Sequence, residues 1–160
     1  MRKIKKIISL LLICMIFIVQ VLPVSAQEDS NDEWYEMVEE DFEMVESSGT
    51  EISPYTLYIM DVVTSLVKLS SSKVGLRADV LCSSTMNTIT VTFYLQKYTG
   101  SSWKNVSSGV TSSSNVAHAI KQMTASGLSS GTYRAKAVAM VRDSSGYAET
   151  FTGYSGSLKL

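Results

Sequence analysis

Strict alternation of apolar and polar residues after position 54 limits the folds open to this chain more than any other feature. The clearest run covers residues 73–83, where five apolar side chains take every second position: Val74, Leu76, Ala78, Val80 and Cys82. The runs at 88–96 and 133–142 repeat the pattern. A half-buried β-strand buries every second side chain, whereas a helix would need a period of 3.6 residues. The pattern therefore predicts an all-β protein.

Short turns between these runs predict that the strands are antiparallel. The segments 70–72, 99–102 and 143–146 are rich in Ser, Gly, Thr and Asp, which favour tight turns. Further strands are expected at 57–69, 103–106, 115–124, 147–152 and 154–160. Strands of this length and spacing are typical of an antiparallel β-sandwich. One such domain over residues 54–160 is long enough to form a single hydrophobic core.

The first 26 residues predict a signal peptide. Four basic residues precede an apolar run at 7–22, and Val24-Ser25-Ala26 supplies the small residues that a signal peptidase recognises. Cleavage between Ala26 and Gln27 would give a secreted, extracellular protein with no membrane span, held at the cell surface only through a partner. The alternative is a retained membrane anchor, for which the apolar run is slightly shorter than the usual length of about 20 residues.

Charge is divided unevenly along the mature chain. Loss of four leader residues leaves ten Lys and Arg against fifteen Asp and Glu, a net charge of −5. Residues 27–51 carry eleven of these acids and no Lys or Arg, whereas residues 52–160 carry four acids and all ten basic residues. A block of one charge sign is typical of a solvated segment. Residues 27–53 are therefore expected to be an acidic tail and linker preceding the sandwich.

The acidic tail contains a seven-residue repeat. Tyr35-Glu36-Met37-Val38-Glu39 recurs as Phe42-Glu43-Met44-Val45-Glu46. The apolar members would form one stripe of a helix, but two heptads with closely spaced carboxylates are marginal in water. Two alternatives stay open, a disordered spacer and a short amphipathic helix that forms when its stripe meets a surface.

Two stretches of the domain resemble fibronectin type III domains. Residues 128–137, Leu-Ser-Ser-Gly-Thr-Tyr-Arg-Ala-Lys-Ala, are similar to the entry into strand F, and residues 94–103 are similar to strand C, its turn and strand C′. The resemblance implies an immunoglobulin-like β-sandwich in which strands B and F lie in different sheets. It also implies that Tyr133 is a structural corner, with its ring in the core and its hydroxyl bonded to nearby backbone.

A second resemblance covers residues 56–160. It is to a group of small secreted proteins of Gram-positive, often gut-dwelling, bacteria whose function is uncharacterised. The similar positions are Leu95-Gln96-Lys97, Ser101-Ser102-Trp103-Lys104, Tyr133-Arg134, Gly146, Glu149-Thr150 and Tyr154-Ser155. This resemblance implies secretion but brings no known activity with it.

Residues suited to catalysis or metal binding are few, which predicts a protein that is not an enzyme. His118 is the only His, and Cys82 is the only Cys that remains after the leader, so no Cys/His zinc site is possible. Cys82 continues an inward series and is expected to be buried, the alternative being a reactive or dimer-forming thiol. The four acids of the domain are too scattered for a glycosidase pair, and no phosphate-binding glycine loop is present. We expect no catalytic residue, metal or cofactor.

The features together favour a secreted, non-catalytic binding module whose ligand is an extracellular protein or a glycan. Tyr94, Tyr98 and Trp103 lie near one turn and are the expected ligand contacts. The basic residues at outward strand positions are either solvated or part of a polyanion site, and nucleic acid is the less favoured partner.

Two other functions stay open. In the first, the acidic tail is a lid that covers a basic face of the sandwich, because a −11 tail is joined to a +6 domain. In the second, the protein is a small secreted toxin or inhibitor with an acidic pro-segment. The sequence does not indicate the oligomeric state.

Overall fold

A computed structural model describes residues 33–44, 50–52 and 57–160. The predicted signal peptide with its cleavage site at Ala26 and Gln27 lies outside these residues, as does Val45 of the predicted helical stripe. All regular structure in the described part is β-strand, and each strand pair is antiparallel. The prediction of an all-β antiparallel protein is therefore confirmed.

The described residues form eight strands. They are β1 (Met37–Val38), β2 (Thr50–Ile52), β3 (Ile59–Lys68), β4 (Lys73–Tyr98), β5 (Trp103–Ser126), β6 (Thr132–Arg142), β7 (Ala148–Tyr154) and β8 (Leu158–Lys159). The predicted turn at 99–102 joins β4 to β5, with Thr99 N donating to Ser102 O at 2.9 Å and Gly100 at a φ of 92°. A positive φ of this kind favours glycine.

β4 and β5 are single long strands where the sequence predicts two strands each. β4 has 26 residues, with an irregular stretch between Leu81 and Met86, and β5 has 24. The prediction of a break at 107–114 is wrong, because these Ser- and Gly-rich residues pair with β4. Turn preference is a local tendency of Ser and Gly, and pairing with the Thr- and Val-rich second half of β4 outweighs it.

Each long strand therefore takes part in two regions of the sheet. Residues 74–82 of β4 pair with β3 on one side, and residues 73–81 pair with residues 118–126 of β5 on the other. With β2 and β1 at its edges, we call this region the N-layer. Residues 88–98 of β4 pair with residues 103–114 of β5. With β6, β7 and β8 beyond them, these form the C-layer.

Apolar side chains of the two layers form one core. Eight side chains that the alternation predicts to face inward are fully buried: Val74, Leu76, Val80, Ile89, Val91, Phe93, Tyr133 and Val141. A Cβ atom added to Gly153 of β7 would lie 2.5 Å from Thr64 Oγ1 of β3, so the backbone of the C-layer passes directly over the N-layer. Each large apolar side chain buried here stabilises the fold by about 1.5–3 kcal/mol. Burial of this kind stabilises a core in which Cys82 is a free thiol.

Tyr133 fixes the loop before β6. Its ring is fully buried, and its hydroxyl donates to the carbonyl oxygen of Ser129 at 2.8 Å. A buried tyrosine ring with a hydroxyl bonded to the backbone a few residues upstream is the geometry of a tyrosine corner.

Residues 33–44, which we call the acidic segment, are extended and not helical. β1 adds to the edge of β5, with Met37 opposite Ala125 and Val38 opposite Thr124. Tyr35 and Met37 pack on the core while Val38 is 51% exposed, so the side chains alternate with period two. The helix prediction is wrong here, because an open strand edge offers backbone hydrogen bonds that outcompete a short helix with repelling carboxylates.

Candidate ligand-binding face

The outward side of the C-layer carries aromatic, cationic and hydroxyl side chains with no Asp or Glu. We call it the aromatic face. Its members, placed by the strand register, are Thr88, Thr90, Thr92, Tyr94, Gln96 and Tyr98 of β4; Trp103, Asn105, Ser108, Val110, Ser112 and Ser114 of β5; Arg134, Lys136, Val138, Met140 and Arg142 of β6; and Thr150, Thr152 and Tyr154 of β7. The aromatic face includes the three predicted ligand contacts.

Tyr94, Tyr98 and Trp103 occupy one end of the aromatic face. Trp103 lies directly opposite Tyr98 across the hairpin, and their ring centroids are 5.3 Å apart. Tyr98 is 43% exposed, and its hydroxyl donates to the carbonyl oxygen of Gly100 at 2.7 Å. Tyr94 lies on the same side of β4, beneath Lys136, whose Nζ is 5.2 Å from the tyrosine ring centroid. The structure thus brings the predicted residues onto one face.

Arg134 ties this end of the face together. Its guanidinium carbon lies 4.4 Å from the Trp103 ring centroid and 4.6 Å from that of Tyr154. Its Nε donates to Gln96 Oε1 at 2.7 Å, and Gln96 Nε2 donates to Asn105 Oδ1 at 2.8 Å. Cation–π contacts with two rings and a hydrogen bond hold the cation in one orientation. Arg134 is therefore a fixed positive charge on a rigid surface.

Sequence reasoning missed this stack. It placed Arg134 and Lys136 at outward positions of one strand, but Tyr154 was only part of an expected final strand. The missing information was the order of neighbours, because β6 lies between β4 and β7. The outward basic residues do divide between layers, with Lys73 in the N-layer and Arg134 in the C-layer.

The acidic segment lies elsewhere, along both halves of β5. Tyr35 N donates to the carbonyl oxygen of Val106 at 2.7 Å, and Tyr35 O accepts a hydrogen bond from Ser107 Oγ at 2.7 Å. These contacts are with the first half of β5, whereas β1 pairs with its second half. The segment therefore bridges the two layers along their shared β5 edge.

Carboxylates of the acidic segment meet lysine side chains. The pairs and their Nζ–O distances are Glu33–Lys97 (2.5 Å), Glu40–Lys73 (2.7 Å) and Glu39–Lys121 (3.8 Å). The hydroxyls of Thr111 and Thr124 add hydrogen bonds to Glu39 and Glu40 at 2.7 and 2.8 Å. The hydrogen bond from Lys97 is the largest cause that lowers the pKa of Glu33 to about 2. Because these pairs are partly exposed and screened by solvent, each adds only weakly to the docking of the segment.

Phe42 anchors the far end of the segment. Its ring lies over Gly75 on the outward side of β4, where an added Cβ atom would come within 2.4 Å of Phe42 Cζ. Gln122 Nε2 donates to the carbonyl oxygen of Phe42 at 3.0 Å. Only glycine leaves room for the ring at this position, so Gly75 forms a notch for Phe42.

His118 and Cys82 lie away from the aromatic face. His118 is in the N-layer with Nε2 2.5 Å from Asp79 Oδ1, and Arg77 also pairs with this carboxylate at 3.4 Å. Cys82 is 4% exposed, and burial raises its pKa to about 11. The thiol is therefore protonated at neutral pH and poorly nucleophilic. Within the described ranges, no group of three or more His, Cys, Asp or Glu side chains is placed to hold a metal ion.

Comparison with known protein families finds none that matches this sequence, and comparison with curated proteins finds no matching relative. In residues 33–44, 50–52 and 57–160, no helix has the length and apolar character that crossing a membrane requires. The function must therefore be argued from the faces of the protein.

Proposed function

We propose that this protein is a secreted, non-catalytic binding module that contacts an extracellular protein or glycan through the aromatic face. The observation that carries the proposal is Arg134 held between Trp103 and Tyr154, next to the exposed Tyr98. Aromatic and arginine side chains dominate binding energy at many protein surfaces. Held in place on a sheet, they lose little conformational entropy when a ligand binds.

The strand order supports an immunoglobulin-like sandwich of the fibronectin type III kind. In the N-layer, β3, the first half of β4 and the second half of β5 take the places of strands A, B and E. In the C-layer, β7, β6, the second half of β4 and the first half of β5 take those of G, F, C and C′. Tyr133 then stands at the start of strand F, where a tyrosine corner belongs. In this proposal the strands B and C are continuous, as are C′ and E.

Secretion is proposed on the signal peptide and on the resemblance to small secreted proteins of Gram-positive bacteria. Expression of the full chain in a Gram-positive host should release protein into the medium, and mass spectrometry should find an N-terminal peptide that starts at Gln27, as glutamine or as pyroglutamate. Protein retained in the membrane with an intact leader would contradict the proposal.

A panel of glycans and envelope extracts tests the binding proposal. Mature chain 27–160 is compared with the double variant Trp103→Ala/Tyr98→Ala and with Ile120→Ala, whose exposed apolar side chain lies in the N-layer (46% exposed). We expect a ligand that binds the mature chain and Ile120→Ala alike and binds the double variant at least tenfold more weakly. Equal binding by all three proteins would show that the aromatic face is not the contact surface.

Self-masking is a second candidate function, favoured by the docked acidic segment. Glu40 pairs with Lys73, and Phe42 fills the notch at Gly75. In this candidate, the segment covers the β5 edge until a partner or a protease displaces it. Chains 27–160 and 50–160 would be compared for partner capture at low and high salt. Equal affinities throughout would eliminate self-masking and also a pro-segment that is removed to activate the protein.

A further inference from the structure

We propose that the ligand of the aromatic face is an anionic polysaccharide. This inference rests on the proposed binding function and adds the chemical class of the ligand. Its grounds are the charge of the face, the way its cations are held, and the polar groups that surround them.

The first ground is charge. The aromatic face presents Arg134, Lys136 and Arg142 and contains no Asp or Glu, although the mature chain has a net charge of −5. The domain's own acids have other partners or places: Asp79 pairs with Arg77, Asp143 accepts from the Tyr58 hydroxyl at 2.9 Å, and Asp61 lies in the N-layer. Electrostatic complementarity selects anionic partners for such a surface.

Glu149 is the remaining acid of the domain, and it is held on the inward side of β7. Its carboxylate accepts backbone N–H groups of Leu57 and Tyr58, both at 2.9 Å. This leaves β7 with Thr150, Thr152 and Tyr154 on the aromatic face. The face is therefore free of acids across all four of its strands.

The second ground is the way the aromatic rings are used. The Trp103 and Tyr154 rings both lie against the guanidinium group of Arg134, Trp103 also contacts the Tyr98 ring, and the Tyr94 ring lies under Lys136. Single-stranded nucleic acids bind mainly by stacking bases on open ring faces. Rings that hold cations instead present those cations for carboxylate, sulfate or phosphate groups, which Arg binds through two hydrogen bonds. This favours acidic groups on a polymer over nucleobases.

The third ground is the composition of the remaining surface. Rows of hydroxyl side chains flank the cations, with Thr90 and Thr92 on β4, Ser108 and Ser112 on β5, and Thr150 and Thr152 on β7. The face covers four strands, β7, β6, β4 and β5, whose backbones span about 14 Å at the usual strand spacing. A largely polar surface of this width suits several consecutive sugars, whose hydroxyl groups need such partners. Protein hot spots favour a water-excluding, well-packed centre instead.

Binding to matched polymers tests the inference. Mature chain 27–160 is titrated with polygalacturonate, with the same polymer after reduction of its carboxyl groups to alcohols, and with single-stranded DNA, by calorimetry. We expect binding to polygalacturonate that weakens at least tenfold when salt shortens the screening length to about 3 Å, and weaker binding to both other polymers.

Charge-neutralising variants locate the site. Lys136→Gln/Arg142→Gln should weaken polygalacturonate binding about tenfold, or about 1.4 kcal/mol, whereas Lys68→Gln removes an exposed charge from β3 in the N-layer and should leave it unchanged. Circular dichroism confirms that each variant is folded.

The outcomes separate this inference from the proposed function. Equal binding of the reduced and unreduced polymers, equal binding of DNA, or no binding of polygalacturonate would overturn the anionic polysaccharide. The proposed function would survive any of these if Trp103→Ala/Tyr98→Ala still abolished binding of another extracellular ligand.

Discussion

The two outer sides of this protein are built on the same two strands, yet they hold their cations in different ways. On the aromatic face, Arg134 of β6 lies between the Tyr154 ring of the adjacent β7 and the Trp103 ring of β5, two strands away. On the N-layer side, Lys73 pairs with a carboxylate of the acidic segment, which precedes the long strands in the chain. The first arrangement is part of the sheet. The second can be removed without breaking the pairing of β3, β4 and β5 with one another, so the comparison predicts different costs for damage on each side.

A matched pair of glycine substitutions should give the largest difference in the free energy of unfolding. Gly153→Val places a branched side chain 2.5 Å from Thr64 Oγ1, between backbones that cannot separate without opening the core. Overpacking of this kind should lower the free energy of unfolding by about 3 kcal/mol. Urea denaturation at neutral pH measures it.

Gly75→Val is the control, because the three atoms nearest to its added Cβ atom all belong to the Phe42 ring of the acidic segment. Displacement of that ring should cost about 1 kcal/mol, close to the loss of one partly buried apolar contact. In the Phe42→Ala background, the effect of Gly75→Val should become much smaller. A Gly75→Val variant as unstable as Gly153→Val would show that the segment is part of the core.

Removal of single cations should give the second largest difference in stability between the two sides. Arg134→Gln loses two cation–π contacts and leaves Gln96 to find a new partner, and we expect a loss of about 1 kcal/mol of stability. Lys73→Gln breaks a pair in which both side chains are partly exposed and screened by solvent, and a smaller loss of stability than that of Arg134→Gln is expected. Thermal denaturation at 0.15 M salt compares them, and equal losses would contradict a distinction between the two sides.

Salt should act on the acidic segment before it acts on the sheet. At 1 M NaCl, where the screening length is about 3 Å, the Glu39–Lys121 and Glu40–Lys73 pairs weaken. A protease that cleaves after Glu should then cut the segment several times faster while β3 to β7 stay intact. Cutting at the same rate in low and high salt would show that Phe42 and the β1 pairing hold the segment without help from charge.

Acid gives the smallest expected effect, and Glu33 at the start of the segment is the carboxylate that reports it most clearly. Folding lowers the pKa of Glu33 from 4.5 to about 2, so its stabilising contribution is complete above pH 4.5 and is lost as the pH falls towards 2. In NMR titrations the Glu33 carboxyl carbon should shift with a midpoint near 2, and Lys97→Gln should move the midpoint towards 4.5. A midpoint near 4.5 in the unmodified protein would show that the Glu33–Lys97 contact does not form in solution.

Much of the fold could be predicted because the decisive information was local. Alternation identifies Val91 and Phe93 as inward without knowledge of their neighbours, and the 99–102 hairpin lies within a few residues. The stack of Arg134 and Tyr154 could not be predicted, because it requires the order of strands. The extended acidic segment also depends on a partner, since its heptad pattern suits a helix until the β5 edge is available.

The uninterrupted course of β4 and β5 makes one turn responsible for the alignment of both layers. Pairing outward from 99–102 first assembles the middle of the C-layer and, past the irregular stretch beyond Leu81, then the middle of the N-layer. A slip by one residue that passed both register shifts, between Leu95 and Gln96 and between Leu81 and Met86, would turn the inward side chains of both layers towards water together. The hairpin tip with Gly100 therefore sets the register of the C-layer as far as the first shift and that of the N-layer only through both.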